Sequence, residues 1–529
     1  MTAPPLRPIK RVMLIFPPMH DVRVIDTMIC PPMGIACLGA YIRDMVDVKL
    51  LDCVAEGYRT KVPVNDEVDR VGLSYEAIMD IIQAEQPDMV GLSCIFSNQI
   101  ACVREISRRI KTDIGDDVVV VAGGTHPSFL PEQTLRETMV DYIILGEGEL
   151  GLHALIEAHN GNGRIADIDG IAYREEGEIV VRPRTTWIDD LDRLPFPARD
   201  LLPMETYFKA GMPMAFHWRH LRNCPIVSSR GCPHQCRFCS SYLHWGKRFR
   251  KRSAENVLAE IQHLRDTFNI QELKWQDDNL TADKKRARAI FQGMIDRGLA
   301  MPWNTPNGVA IWTLDDELLG LMKQSGCYEI TLAVESGDPD SFKTYVGKPF
   351  DLEKPVEIAR LARKHGIATA AYFIVGFPGE TLSRIKNSMR YALKLKVDYL
   401  SPFVYTPLPG SELWKQCVND GIVSGDYAYE DANNFFKPDF ETPFFDIDQV
   451  YRIQGRAYLL NLLKLPFRNP SEFFAWYGRR LIFHPVFIYD FFRNIWKYRQ
   501  QVFAGFRFGR KKTANAGSGG HLQERKKKG

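Results

Sequence analysis

Ser228-Ser229-Arg230-Gly231-Cys232-Pro233-His234-Gln235-Cys236-Arg237-Phe238-Cys239 is the stretch on which the reading of this chain turns. It places three thiols in a C-x3-C-x2-C spacing directly after an apolar run. Three soft ligands on one short loop can each bind a different iron of a cubane. Because Cys232, Cys236 and Cys239 supply only three ligands, one iron of a 4Fe-4S cluster keeps an open position for an external ligand. Gly231 permits a sharp turn into the loop, and Phe238 can lay an aromatic face beside that ligand. A structural zinc site would need four closed ligands in paired spacing, and the sequence has no second C-x2-C.

Working outward, strands alternate with helical patterns from Ile226 to about Pro409: Ile226–Ser229, Glu272–Gln276, Trp303–Val309, Glu329–Val334, Ala370–Val375 and Tyr399–Tyr405. Such units fit a partial α/β barrel over residues 223–427, whose chemistry belongs to the carboxyl ends of its strands. Polar and glycine-rich segments stand at those ends: Gln276-Asp277-Asp278-Asn279, Glu335-Ser336-Gly337, Gly376-Phe377-Pro378-Gly379-Glu380-Thr381 and Tyr405-Thr406-Pro407-Leu408-Pro409-Gly410.

Upstream, Val12–Phe16, Val48–Asp52, Met89–Ser93, Val118–Ala122 and Tyr142–Leu145 alternate with helical runs such as Tyr75–Gln86 and Gln99–Lys111. That alternation predicts an α/β, Rossmann-like doubly wound sheet within residues 1–186, with its ligand edge at the carboxyl ends of the strands. At that edge lie Pro31-Pro32-Met33-Gly34, Ser93, Ser97, Gly123-Gly124-Thr125-His126 and Gly146-Glu147-Gly148-Glu149, where glycines let backbone amides approach a bulky ligand. A short connecting unit follows, with Asp167–Arg174 and Glu178–Arg182 as a hairpin. Residues 187–222 read as a proline-bearing linker that straps one domain onto the next. Residues 428–512 form a helical region dense in aromatic and basic residues, and residues 513–529 read as a disordered tail.

The 529 residues are too many for one hydrophobic core, and a net charge of +3 predicts no nucleic-acid partner. The proline-rich opening Met1–Lys10 predicts no secretory signal, and no apolar run has the length of a membrane span. Eleven scattered cysteines fit a reducing, cytoplasmic compartment better than a disulfide framework. Only Cys327 and Cys417 follow the loop, too few for an auxiliary cluster.

With its aromatic residue before the third cysteine, the loop resembles the signature of the radical S-adenosylmethionine superfamily. By that resemblance Asp277, Glu335 and Ser336 contact S-adenosylmethionine together with Phe238, and the Gly376-Phe377-Pro378-Gly379 backbone passes along the adenine. The amino-terminal domain resembles the cobalamin-binding domain of cobalamin-dependent members, and the resemblance covers roughly Arg11–Trp414. It assigns Pro32, Met33, Gly34, Ser93, Gly123, Gly124, Thr125, His126, Gly146 and Glu147 to cobalamin. The Asp-x-His-x-x-Gly signature that supplies an axial histidine to cobalt is absent, so no histidine is assigned as a cobalt ligand.

The resemblance implies reductive cleavage of S-adenosylmethionine to a 5′-deoxyadenosyl radical, hydrogen abstraction from the substrate, and methyl transfer through cobalamin to an unactivated carbon. It also implies an external electron donor of flavodoxin or ferredoxin type. Relatives include a ring-forming cyclase, so cyclisation without net methyl transfer is the alternative, and a non-catalytic corrinoid or iron-sulfur sensor is the reading from another class. The aromatic and basic run Phe467–Phe508 suits either a peripheral membrane contact or a lid packed on the barrel. The substrate expected is a small molecule, a lipid or a tetrapyrrole.

Overall fold

A computed structural model describes residues 6–22, 27–66, 68–211, 217–423 and 442–474. Residues 11–182 build a seven-stranded sheet in which Asp47–Asp52, Arg11–Phe16, Met89–Ser93, Val119–Gly123 and Tyr142–Ile144 lie parallel, in that spatial order. The central strands Arg11–Phe16, Met89–Ser93 and Val119–Gly123 are buried on both faces, which is why the sequence shows continuous apolar runs there rather than alternation. Side chains of successive residues go to opposite faces. Val12 and Leu14 pack with the helices Met33–Ile42 and Gly148–His159, while Met13 and Ile15 pack with Tyr75–Glu85 and Ile100–Arg109.

The hairpin expected in the connecting unit is present and joins the sheet. Ile171–Glu175 pairs antiparallel with Tyr142–Ile144, and Glu178–Arg182 pairs with Ile171–Glu175, so the hairpin extends the same sheet. Ile171, Ala172 and Tyr173 are buried there, and that apolar surface gives the reason.

The second sheet has six parallel strands, Asn223–Ile226, Glu272–Trp275, Trp303–Thr305, Cys327–Glu335, Ala368–Val375 and Tyr399–Val404, in sequence order. This is the expected partial barrel. Its helices start where the sequence supplies side-chain caps: Ser253, Asp283, Asp315 and Thr381 each accept from a backbone N–H of the first turn. Two strands differ most from the sequence reading, the others by one or two residues at an end. The third strand stops at Thr305 because Pro306 has no N–H for the ladder and Gly308 turns the chain at φ +103°. The first strand ends at Ile226, and Ser229–Arg230 leaves it to form a two-stranded antiparallel ribbon with Arg250–Lys251.

The strap between the domains is held by buried polar contacts. Arg199, 1% exposed, pairs with Glu260 at 2.7 Å, donates to Pro225 O at 3.0 Å and lies 3.8 Å from the Met33 sulfur. Tyr207 donates to Asp52 at 2.9 Å, and Ala198 N donates to Ala36 O. Beyond the barrel, helix Ile447–Arg468 packs on the last strand through Gln454 to Pro402 O and Asn461 to Asp398 O. Within the aromatic and basic run only Phe467–Phe474 is described; the remainder of it, and the expected tail 513–529, lie outside the described residues. No helix among the described residues is long and apolar enough to cross a membrane.

Candidate active site at the cysteine loop

The loop leaves its ribbon at Gly231, whose φ of +87° is left-handed and whose Cβ, if added, would meet Arg248 O at 2.4 Å. Only glycine fits there. Below the loop, Asp277 is fully buried and accepts from Ser228 N at 3.1 Å, from Ser228 Oγ at 2.7 Å and from Ser229 Oγ. The residue expected to touch S-adenosylmethionine therefore has its carboxylate engaged in holding the strand that leads to Cys232. Arg286 supports the same strand by donating to Ser228 O at 2.7 Å.

The three thiols are partly or wholly buried, and burial pushes Cys236 up to about 11 and Cys239 up to about 12. Cations must therefore supply the deprotonation that ligation needs. Two donors are already aimed at sulfur: Asn279 Nδ2 lies 2.9 Å from Cys232 Sγ, and Ser241 N lies 3.4 Å from Cys239 Sγ. Donors to the sulfurs are what a thiolate-held cluster uses in its surroundings. Three thiolates on one loop, with donors at two of the sulfurs, are a donor set that fits a cube, which gives each thiolate its own iron.

Around the loop, Glu335 ends the fourth strand in the left-handed region at φ +69° and pairs with Lys348 at 2.7 Å. Lys348 also donates to Ala333 O at 2.6 Å, and its charge acts on Cys232 and Cys236. Strain of this kind in a non-glycine residue costs on the order of 1–3 kcal/mol and persists where surroundings fix it. Ser336 is fully buried, and its hydroxyl accepts from Asp338 N at 3.4 Å. Phe238 lies 6.2 Å from the Phe377 ring, which stacks on Tyr345 at 4.9 Å. Glu380 shapes the Gly376–Gly379 turn by accepting from Gly376 N at 2.9 Å and Phe377 N at 3.2 Å. Those two amides are consequently occupied, and Pro378 is buried in the turn between them and Gly379. Sequence reasoning missed Lys348, Asn279 and Glu380 as site residues, although Asn279 and Glu380 stood inside quoted motifs.

The residues assigned to cobalamin gather at the carboxyl edge of the first sheet. Ser93 and Gly123 end adjacent strands, and Gly124 turns at φ +106° with Cys94 O only 2.7 Å from where a Cβ would be. Thr125 opens the short helix Thr125–Phe129. Pro32 precedes helix Met33–Ile42, and Gly34 on its first turn is exposed with open space above it. His126 is buried, its Nδ1 lies 3.0 Å from Ser97 Oγ, and burial lowers it to about 4. Glu147 differs from its expected role: it is 2% exposed, and both its oxygens are taken up by Arg250, at 2.6 and 2.9 Å.

A parallel sheet with small and backbone surfaces along one edge, joined to a six-stranded barrel carrying three cluster-spaced thiols, defines a cobalamin-dependent radical S-adenosylmethionine enzyme. The comparisons agree. Residues 21–156 match the B12 binding domain and residues 226–392 match the radical SAM superfamily. The chain is 34% identical over 422 residues to cytidylyl-2-hydroxyethylphosphonate methyltransferase of Streptomyces wedmorensis, covering 74% of this chain and 78% of that one. It is 27% identical over 469 residues to the anaerobic magnesium-protoporphyrin IX monomethyl ester cyclase of Rubrivivax gelatinosus, covering 87% of this chain and 80% of that one. Its fold resembles the cobalamin-dependent S-adenosylmethionine radical enzyme OxsB with aqua-cobalamin bound, with TM-score 0.64 and 19% identity over 93% of this chain and 75% of that one. The chain belongs to the family of cobalamin-dependent radical S-adenosylmethionine methyltransferases, which also has cyclase relatives, and its cofactors are a 4Fe-4S cluster, S-adenosylmethionine and cobalamin.

Proposed function

We propose that this chain methylates an unactivated carbon of a small-molecule substrate, with Cys232, Cys236 and Cys239 as the cluster ligands. The observation that carries the proposal is the direct packing of the first domain's carboxyl edge, at Gly146–Glu149, against the cysteine loop. That contact brings the carboxyl edge of the first sheet next to the segment leading into the thiols. When bound, the cluster supplies an electron, S-adenosylmethionine supplies both a hydrogen-abstracting radical and a methyl group, and cobalamin carries the methyl.

The chain's own residues do the rest. Asn279 and Ser241 orient sulfur lone pairs, and Lys348 holds Glu335 toward the carboxyl end of the barrel. Glu335, Ser336, Phe238 and the Gly376-Phe377-Pro378-Gly379 turn would contact S-adenosylmethionine. Pro32, Met33, Gly34, Ser93, Gly123, Gly124, Thr125 and Gly146 form the edge against which cobalamin would lie. The aromatic set Tyr345, Phe377 and Tyr405 keeps water from the base of the turn. An electron donor of flavodoxin or ferredoxin type is the partner this chemistry requires.

Methylation is favoured over cyclisation because the methyltransferase relative is the more similar of the two, 34% against 27% identical. That relative is named for a cytidylyl-linked phosphonate, which supports a polar small molecule ahead of a lipid or tetrapyrrole. The test is anaerobic reconstitution with iron, sulfide and cobalamin, followed by reduction in the presence of methyl-labelled S-adenosylmethionine and a small-molecule extract. Label should appear in one extract component, with S-adenosylhomocysteine formed alongside. Label confined to methionine and other cleavage fragments would sink methyl transfer and leave cyclisation.

A further inference from the structure

Two arginines face each other across the ribbon that leads into the cysteine loop. Arg230 and Arg250 are directly opposed, and their side chains are 9% and 2% exposed. Like charges opposite one another on a ribbon repel, and burial makes an uncompensated guanidinium costlier still. The compensating carboxylates come from the other domain. Glu147 binds Arg250 through both oxygens and approaches Arg230 at 3.3 Å, while Glu149 binds Arg230 at 2.6 Å. Burial alone would raise the Glu149 carboxyl, but Arg230 overrides it and holds the group below its ordinary value.

The same joint grips the far side of the loop. Helix Ser241–Trp245 begins just after Cys239; Trp245 O accepts from Arg250 at 2.7 Å, and the Trp245 ring lies 5.2 Å from the Arg230 guanidinium carbon. Gly146, in the left-handed region at φ +69°, lets the turn approach His244 O, which a Cβ would meet at 3.0 Å. Entry and exit of the thiol loop are thus both anchored to the turn that closes the cobalamin-facing edge.

We propose that Glu147 and Glu149 are positioning residues: their paired charges with Arg230 and Arg250 fix the separation between the cluster loop and the cobalamin edge. This deepens the functional reading above and rests on it. The barrel does not complete its own thiol loop, so the separation of the two cofactors is set by buried ion pairs rather than by the strap.

The test compares wild type with Glu149→Gln, Glu147→Gln and Arg230→Lys, each reconstituted anaerobically with iron, sulfide and hydroxocobalamin. The first readout is the pulsed electron-spin coupling between cob(II)alamin and the reduced cluster. Wild type should give one narrow coupling; either glutamine variant should broaden it while keeping its iron and cobalamin, and Arg230→Lys, which retains the charge, should restore most of the narrow component. The second readout needs no cobalamin: stripping of iron by a chelator should be about tenfold faster in Glu149→Gln, the change that losing one charge-assisted hydrogen bond brings. Unchanged coupling and unchanged stripping in both glutamine variants overturn the proposal. Where a glutamine variant fails to fold, Glu149→Asp, which keeps the charge but pulls it back from Arg230, is read in its place, and coupling and stripping indistinguishable from wild type then count against the proposal. Wild type that takes up cluster but no cobalamin overturns the functional reading instead, and the stripping rate still decides the joint.

Discussion

At the amino-terminal mouth of the barrel, buried charges find their partners mostly within the barrel and its entry segment; at the ribbon that leads into the thiol loop they find them in the first domain. Lys274 pairs with Glu272 at 2.5 Å and also donates to His217 O at 2.7 Å, while Tyr328 donates to Glu272 at 2.6 Å. His217 in turn pairs with Glu329 at 2.6 Å and stacks on Tyr399 at 3.5 Å. At the other end, Arg230 and Arg250 depend on Glu147 and Glu149 of the first domain, and the thiols of Cys232 and Cys239 have hydrogen-bond donors, with the charge of Lys348 acting on Cys232. The closed network holds the barrel shut. The open one waits for cofactors and for the neighbouring domain, and so marks the functional end.

The largest break in this contrast is Cys232→Ala, Cys236→Ala or Cys239→Ala. Each should abolish cluster incorporation, read as iron and sulfide per chain, while leaving the fold's circular dichroism intact. Next, Lys274→Met should leave Glu272 buried without its cation, at a cost of about 3–5 kcal/mol seen in chemical unfolding. The double variant Glu272→Gln with Lys274→Met should recover a large part of that loss, since it removes both charges.

Glu380 sharpens the contrast through pH. Burial raises its carboxyl from 4.5 to about 7, ahead of the lowering by its hydrogen bonds from Ser341, Gly376 and Phe377. A raised carboxyl contributes stability that is full below the unfolded value and is lost as pH rises through about 7, at most roughly 3 kcal/mol. Stability of Glu380→Gln should therefore depend less on pH between 4.5 and about 7 than that of wild type, measured by urea unfolding across that window. The smallest effect is expected from Asn279→Ala, which removes a donor to Cys232 Sγ. It should change folding stability by about 1 kcal/mol while shifting the reduction potential of the cluster downward, as loss of a hydrogen bond to sulfur does.

What could be read from the sequence was what is local. The thiol loop is legible because its ligands lie within eight residues, Cys232 to Cys239, and Met89–Ser93 is legible because a buried parallel strand is a continuous apolar run. Trp303–Val309 was drawn too long because apolar pattern outweighed Pro306. Glu147 was assigned to a ligand because its partner Arg250 stands 103 residues away, and no periodicity links them. Asp277 shows the same limit: its motif position was visible, but its engagement by Ser228 and Ser229 depends on strands meeting in space. The hairpin at 171–182 looked like a connector because pairing with Tyr142–Ile144 leaves no mark in either segment alone.

The most direct measurement is electron paramagnetic resonance of anaerobically reconstituted, reduced protein before and after adding S-adenosylmethionine. A cluster held by three cysteines has one iron free to take the cosubstrate, so a reduced 4Fe-4S signal should appear and change its g values when the compound binds. A protein that carried zinc in place of iron, or a cluster signal indifferent to S-adenosylmethionine, would contradict the account.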